Sequence, residues 1–410
     1  MVHFPAVNLF PSAMSWSTTL DSSAWPAALT VPLPGAPRTS WKPAACAQFP
    51  GLADALAATP QDPVHHAEGD VWTHTQMVVD TLLASPGYAA LTTAQRGVVF
   101  YAALLHDMAK PQTTRQIGDR VGAPGHSARG AIGAQAALWE RDVPFDLREQ
   151  VARLVASHQV PFFAFDSRRA VHPEYTARLL AADCSVGLLC LLAEADMRGR
   201  VCGDKNRVLD EIALFAELAQ ELGCLDAPYP FPSPATRIAY FEKKGQLYPD
   251  ERIFVSQPFE VVMLSGLPAT GKSTWAAAHP EWPSVAYDDL REELGLAHGE
   301  GTGTVVHAAD DRIREHLRAR RPFVINATHL SRQMRRRTLA RIREYGGHVR
   351  VVCFEASRAE VLARNSNRDG TLTNTKLLRM VERWETPGYD EVEFREVRSF
   401  APRLRAFPRP

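Results

Sequence analysis

The chain has 410 residues and a formal net charge of zero, with 46 Lys and Arg against 46 Asp and Glu. At roughly 150 residues per domain this length supports two or three domains, and the 45% hydrophobic and 22% charged composition excludes a disordered chain. No apolar run approaches the ~18 residues of a membrane span, and no basic start precedes an apolar stretch, so neither an anchor nor a secretory signal is expected. Six scattered Cys without a C-x-x-C pair argue against a disulfide framework or zinc ribbon and suit a cytoplasmic location.

Residues 1–45, rich in Pro, Ser, Thr and Ala without periodicity, read as an irregular leader. Residues 46 to about 222 read as helices. Apolar residues recur at three- and four-residue spacing in Val71–Leu83, Ala94–Met108, Ser127–Glu140, Leu147–His158 and Ser185–Met197. Pro111 is expected to stop the second of these. The helices carry His or Asp at or near their ends: His74, the pair His106-Asp107, His126, His158 and Asp196. One such His alone is more often a hydrogen-bonded core residue. The set together suits a metal centre, because imidazole and carboxylate ligands take divalent transition ions (Mn, Fe, Co, Ni or Cu) that activate water. In that arrangement Asp107 could bridge two ions, with His126 and His158 completing the second ion's shell or binding phosphate.

A Pro-rich stretch from Asp226 to Pro234 marks a linker starting near residue 225. The expected division is a helical domain over 46–245 and an α/β domain over 246–410. In the latter, Phe259–Ser265, Pro322–Ala327 and His348–Glu355 read as buried strands alternating with helices at Thr304–Arg320 and Ser331–Tyr345, the pattern of a parallel sheet. The first strand runs into G-x-x-x-x-G-K-[ST]. Gly266, Thr270, Gly271, Lys272, Ser273 and Thr274 are therefore expected to bind ATP or another NTP, Lys272 reaching the β- and γ-phosphates and Ser273 holding Mg²⁺. Asp288 stands where the second strand should end and suits a general base, with Arg291 one turn on to fork an acceptor phosphate; the plainer role is helix capping by Asp288 or Asp289. The strand ending at Asn326-Ala-Thr328-His329 has no closing Asp, which favours a small kinase over a motor ATPase. Arg364 and Arg368 suit a flap that neutralises transition-state charge, or else a solvated basic face. Arg332, Arg335, Arg336, Arg337, Arg341 and Arg343 crowd one helix, as a nucleic-acid track or a solvated face. The zero net charge also hides an asymmetry: residues 1–254 hold 21 basic and 26 acidic side chains, residues 255–410 hold 25 and 20, so the C-terminal part is the better match for a polyanion.

The loop at 266–274, the Asp-x-x-Arg of Asp288 and Arg291, and the lid arginines Arg364 and Arg368 together resemble polynucleotide 5′-hydroxyl kinases of the P-loop class. The resemblance implies that Asp288 is the general base and that Arg291 holds the phosphate beside the 5′-OH; Asn326 stands where several relatives carry Asp. The segment Gly69–Asp80, the His106-Asp107 pair and residues 125–131 resemble the HD phosphohydrolase superfamily, above all the HD domain attached to bacterial tRNA nucleotidyltransferases, here without the nucleotidyltransferase head. An HD domain followed by such a kinase resembles the HD-Pnk family of end-healing enzymes, over about residues 50–400. That resemblance implies removal of a 3′-phosphate or 2′,3′-cyclic phosphate by the HD domain, with Asp107 catalytic. It also implies transfer of an NTP γ-phosphate to 5′-OH ends of RNA or DNA, and hand-off to a ligase. Two other readings remain at this level: a nucleoside, sugar or antibiotic kinase fused to a nucleotide phosphohydrolase, and an ATP-gated or RNA-binding regulatory module with a degenerate HD site.

Overall fold

The computed structural model describes Leu20 and residues 23–255, 258–297, 300–367 and 372–399. It divides into two compact units: one runs to Phe231 and includes Tyr240–Pro249, the other comprises Pro232–Ala239 and the chain from Asp250 onward.

The first unit is helical. Its principal helices are α1 (Val71–Ala84), α2 (Thr93–Leu105), α3 (His126–Trp139), α4 (Phe145–Ser157), α5 (Val186–Arg198) and α6 (Lys205–Glu221), with one short antiparallel hairpin of β1 (Arg115–Ile117) and β2 (Arg120–Gly122). Local chemistry sets their starts. Asp70 accepts from the Thr73 amide, Thr92 and Gln95 form a capping box, and Ser185 accepts from the Leu188 amide. Helix α2 is the central one, since Val98 through Leu105 are all buried. It stops at Leu105, short of the expected Met108. Pro111 does not end it; Pro111 lies in the first turn of a separate short helix, Lys110–Thr113, where its missing N–H costs nothing. The leader also differs from expectation. Arg38–Gln48 is a helix, and Leu29 and Trp41 are buried in the core beside Val78 and Phe100, so hydrophobic burial orders part of a segment that lacks helical periodicity.

One close approach in this unit shapes the site. A Cβ on Gly199 would lie 2.8 Å from the Val78 amide nitrogen. Glycine at that position lets the end of α5 touch the backbone of α1.

The second unit is a five-stranded parallel sheet in the order β4-β5-β3-β6-β7, formed by β3 (Phe259–Gly266), β4 (Ser284–Ala286), β5 (Phe323–Asn326), β6 (Gly347–Glu355) and β7 (Phe394–Ser399). Val261, Met263, Ile325 and Val351 fill the core on one face, and Val262, Leu264, Val324 and Val352 fill a smaller core on the other. This two-sided burial explains why the strands read as continuous apolar runs rather than alternating ones. The helices are α7 (Lys272–Ala277), α8 (Tyr287–Glu293), α9 (Thr302–Ala319), α10 (Arg332–Glu344), α11 (Arg358–Ser366) and α12 (Asn374–Val381). Loops at the carboxyl ends of β3, β4 and β5 supply the site, as is usual in open α/β sheets.

Helix α10 is the arginine-rich one, and it is not a uniform basic face. Arg335 is fully buried: it donates to the carbonyls of His329, Leu330 and Glu385 and pairs with Glu391 at 2.7 Å. Arg341 pairs with Asp310, Arg343 with Glu393 and Arg332 with Asp390. Only the exposed Arg336 and Arg337 retain the character of a track. Among the described residues no single helix is long and apolar enough to cross a membrane.

Candidate functional site

The first unit gathers all six His and Asp residues singled out in its sequence. His74 lies one turn into α1, His106 caps the C-terminus of α2 with Asp107 next to it, His126 opens α3, His158 caps α4, and Asp196 sits near the end of α5. All six are buried. They form two clusters of metal-ligating atoms, His74–His106–Asp196 and Asp107–His126–His158. In the first, His74 Nε2 is 3.1 Å from Asp196 Oδ1 and 3.4 Å from His106 Nε2. In the second, His126 Nε2 is 3.4 Å from both His158 Nε2 and Asp107 Oδ1. The other oxygen of Asp107, Oδ2, turns to the first cluster, 3.1 Å from His106 Nε2. A single carboxylate thus gives one oxygen to each cluster.

The donor set fits cations. His106, His126 and His158 each place Nδ1 at 2.7–2.8 Å from a backbone carbonyl, of Ala103, Ala123 and Val155 respectively. An Nδ1–H donating there leaves Nε2 as a lone pair. In the second cluster two such lone pairs face each other, and Asp107 Oδ1 is buried without a hydrogen bond, whereas Oδ2 has Lys110 Nζ at 2.7 Å. Buried acceptors turned on one another are costly unless a cation lies between them. Burial pushes the carboxyls of Asp107 and Asp196 up. Their neighbours outweigh it, His106 and Lys110 at Asp107 and Arg200 and His74 at Asp196, so both are held well below the usual carboxylate range. Burial lowers His126 and takes His158 down to about 3. At neutral pH His126 and His158 are therefore unprotonated, the form in which imidazole binds metal, whereas at His106 burial is outweighed by Asp107, which raises it above its ordinary value.

Three supporting residues were not legible in the sequence. Glu68 Oε1 is 3.0 Å from His74 Nδ1 and 2.7 Å from His66 Nδ1, while Oε2 accepts from the Val201 amide. Arg200 holds Asp196 with two hydrogen bonds of 2.8 and 2.9 Å. Lys110 Nζ lies 2.7 Å from both Asp107 Oδ2 and Gln61 Oε1. The one available hint was the His66-Ala-Glu68 triplet ahead of the Asp70 cap, since no periodicity extends into that turn.

In the second unit the phosphate loop follows β3. Gly266 has φ 147°, and a Cβ there would lie 2.7 Å from the Phe354 carbonyl; Ala269 and Gly271 also take positive φ. These left-handed positions turn the loop so that its amides face inward. Thr270 Oγ1 closes the turn on the Leu267 carbonyl, and Lys272 Nζ donates to the Gly266 and Leu267 carbonyls. Ser273 opens α7 beside Lys272, with Thr274 next. A cleft of about 1230 Å³ brings together Lys272, Ser273, Thr274, Asp288, Arg291 and Arg364.

Neither Asp288 nor Asp289 caps α8. The cap position is Ala286, which leaves Asp288 in the first turn, 74% exposed at its side chain and 3.5 Å from Arg291. Arg364 lies on α11 rather than after it, and pairs with Glu360 at 3.4 Å; Arg368 falls outside the described residues. Asn326 ends β5 and its amide donates to Ser273 Oγ at 3.3 Å. His329, with φ 42°, is buried on the same loop, which is tied to the start of the phosphate loop by the Gly266 amide bonding the Thr328 carbonyl.

A family model described as an AAA domain matches residues 261–387, from β3 through the segment after α12. The multifunctional CCA protein of Aromatoleum aromaticum is 31% identical over 153 residues, 36% of this chain and 34% of that protein. The multifunctional CCA protein of Halorhodospira halophila is 34% identical over 115 residues, 28% of this chain and 25% of its own length. The chain thus spans about a third or less of the curated relatives it matches. A gluconokinase from Sinorhizobium meliloti is 22% identical, covering 34% of this chain and 81% of its own, with a TM-score of 0.25, a likeness too slight to bear on function. The family match and the loop geometry agree on a P-loop α/β domain in the second unit.

Proposed function

We propose that this chain is a bifunctional end-healing enzyme of the HD-Pnk type. Its P-loop domain would phosphorylate 5′-OH ends of RNA or DNA, and its His–Asp centre would remove 3′-phosphate or 2′,3′-cyclic phosphate. The observation that carries the reading is the Asp107 bridge, one oxygen to each of two buried ligand clusters, on the same chain as a phosphate-loop cleft lined by Asp288 and Arg291. The partial likeness to two proteins named multifunctional CCA protein supports an assembly of several activities.

In the kinase reaction Asp288 accepts the proton of the attacking 5′-hydroxyl as its oxygen bonds the γ-phosphorus, and the nucleoside diphosphate leaves. Lys272 balances charge on the β- and γ-phosphates, and Arg364, like Arg291, adds a further cation at the cleft. Ser273 would hold Mg²⁺, its hydroxyl oriented by the Asn326 amide. Asn326 cannot accept the hydroxyl proton, and of the two carboxylates that line the cleft Asp310 is paired with Arg341 while Asp288 is exposed, which favours Asp288 for that task. In the first unit His74, His106 and Asp196 would hold one ion and His126 and His158 another, with Asp107 shared. When bound, these ions supply Lewis acidity that lowers the pKa of water and neutralises phosphate charge. Lys110 keeps a further positive charge beside Asp107. Hydrolysis of the 3′-monoester leaves 3′-OH and inorganic phosphate, and the kinase leaves 5′-phosphate, the pair of ends a ligase joins.

The test is an RNA bearing 2′,3′-cyclic phosphate and 5′-OH, incubated with ATP, Mg²⁺ and each of Mn, Fe, Co, Ni and Cu. The expected products are 3′-OH and 5′-phosphate ends. If no phosphate reaches the 5′ end of RNA or DNA, while a nucleoside or sugar accepts it, the small-molecule kinase reading takes over.

A further inference from the structure

A pocket of about 540 Å³ lies in the first unit beside the His–Asp centre. Of the six ligands, His126 alone lines it, so an ester entering from this side meets the Asp107–His126–His158 cluster first. The remaining lining is mixed in a particular way. Lys110, Arg120 and Arg200 supply cationic groups against two carboxylates, Asp62 and Asp204, the latter paired with Arg207; Arg200 is held by Asp196, and Arg120, exposed on β2, has no ion-pair partner among the described residues. Two large apolar side chains that line it are exposed and come from separate elements: Ile117 of the hairpin, 50% exposed, and Phe163 of the short 3-10 turn Val160–Phe163, 45% exposed. Gln61 contributes a buried amide nitrogen with no hydrogen-bond partner, on a side chain whose oxygen is already fixed by Lys110.

We infer that this pocket binds the terminal nucleoside of a single-stranded nucleic-acid 3′ end. The inference rests on the phosphohydrolase reading above and adds which part of the substrate is recognised. The volume falls within the ~300–1,000 Å³ of small-ligand sites, enough for one nucleotide and too small for a duplex, so the last base must be unpaired to enter. An exposed aromatic ring in a pocket that an apolar side chain also lines suits the face of a base, which stacks with little regard to sequence. Arg120 meets the next phosphodiester, a contact that positions the strand without reading it. The orphan amide of Gln61 donates to an oxygen or ring nitrogen of the nucleoside. The hairpin carrying Ile117 and Arg120 thus forms one wall of the subsite.

The test uses the full chain and two oligonucleotides with 3′-phosphate ends and a fluorophore at the 5′ end, one with a terminal base and one abasic at that residue. Phosphate release gives KM and kcat, and fluorescence anisotropy gives binding without turnover. The wild type should show a lower KM, and tighter binding, for the strand with the base. Phe163→Ala should raise KM for that strand about tenfold, to the abasic value, with kcat and the abasic KM unchanged. Arg120→Ala should lower the salt slope of binding by about one contact on both strands. Equal KM and binding for the two strands in the wild type, or an equal rise for both in Phe163→Ala, would overturn the inference and leave the phosphohydrolase standing. Base-dependent binding that Phe163→Ala abolishes, without phosphate release under any metal, would support the pocket and remove the catalytic reading.

Discussion

Asp107→Ala is the sharpest perturbation of the first unit. Asp107 is 1% exposed, with Lys110 Nζ at 2.7 Å and the Nε2 atoms of His106, His126, His74 and His158 at 3.1, 3.4, 3.9 and 4.0 Å. Removing one partner of a buried ion pair costs about 3–5 kcal/mol. The lower end is expected here, because Gln61 still accepts from Lys110. The effect on metal is larger in consequence. Losing an outer-shell partner alone weakens metal binding roughly 10–100-fold, and Asp107 offers a direct oxygen to both clusters, so both ions should be lost on gel filtration. Asp107→Asn keeps the shape and removes the charge, which separates ligation from folding. Metal content by plasma emission, phosphate release from a 3′-phosphate oligonucleotide, and phosphate transfer to a 5′-OH strand are measured on the same preparations. Metal content and phosphate release should collapse in both variants while transfer stays within about twofold, since the phosphate loop belongs to the other compact unit and shares no residue with the His–Asp clusters. A variant that keeps the wild-type metal content, or loses one ion and retains the other at full occupancy, would refute the shared-carboxylate reading.

Three further outcomes follow from the geometry. Asp288→Ala should lower the kinase kcat by roughly 10²–10⁴ and spare phosphate release; with a side chain 74% exposed its stability should change by no more than ~0.5 kcal/mol, so a matching loss of melting temperature would point to misfolding instead. Glu68→Gln should weaken metal binding roughly 10–100-fold without removing any of the six His and Asp, because the Glu68 carboxylate lies 3.0 Å from His74 Nδ1 and supplies the charge beside that ring; unchanged affinity in calorimetric metal titrations would leave Glu68 a packing residue. His329 is buried, and that burial, aided by Arg335 and Lys272 against the Leu264 carbonyl, takes it from 6.5 down to about 4. The unfolded chain therefore binds one more proton between those values, so stability of the second unit falls as pH drops from 6.5 towards 4, by up to about 3 kcal/mol. His329→Asn, which tolerates the positive φ, should flatten this slope in hydrogen-exchange measurements on peptides of that unit; an unaltered slope would show that other groups set it.

What the sequence determined was whatever depends on contiguous residues. The phosphate loop is legible because its function resides in the backbone angles of one short run, Gly266 to Thr274, and the buried strands are legible because a parallel sheet hides both faces. The six His and Asp were each found on helix ends by their local setting. Only the tertiary structure decided what they do together. Which oxygen of Asp107 faces which histidines depends on five helices packing, and on Gly199 letting α5 touch α1. The same holds for Glu68, which sits in a turn without periodicity, and for Arg335, whose charge in sequence looks available for a polyanion and in the fold is consumed by Glu391 and three carbonyls. Charge and residue type are properties of the chain; burial and pairing belong to contacts between distant segments, and those settle whether a charged group meets a ligand or its own neighbours.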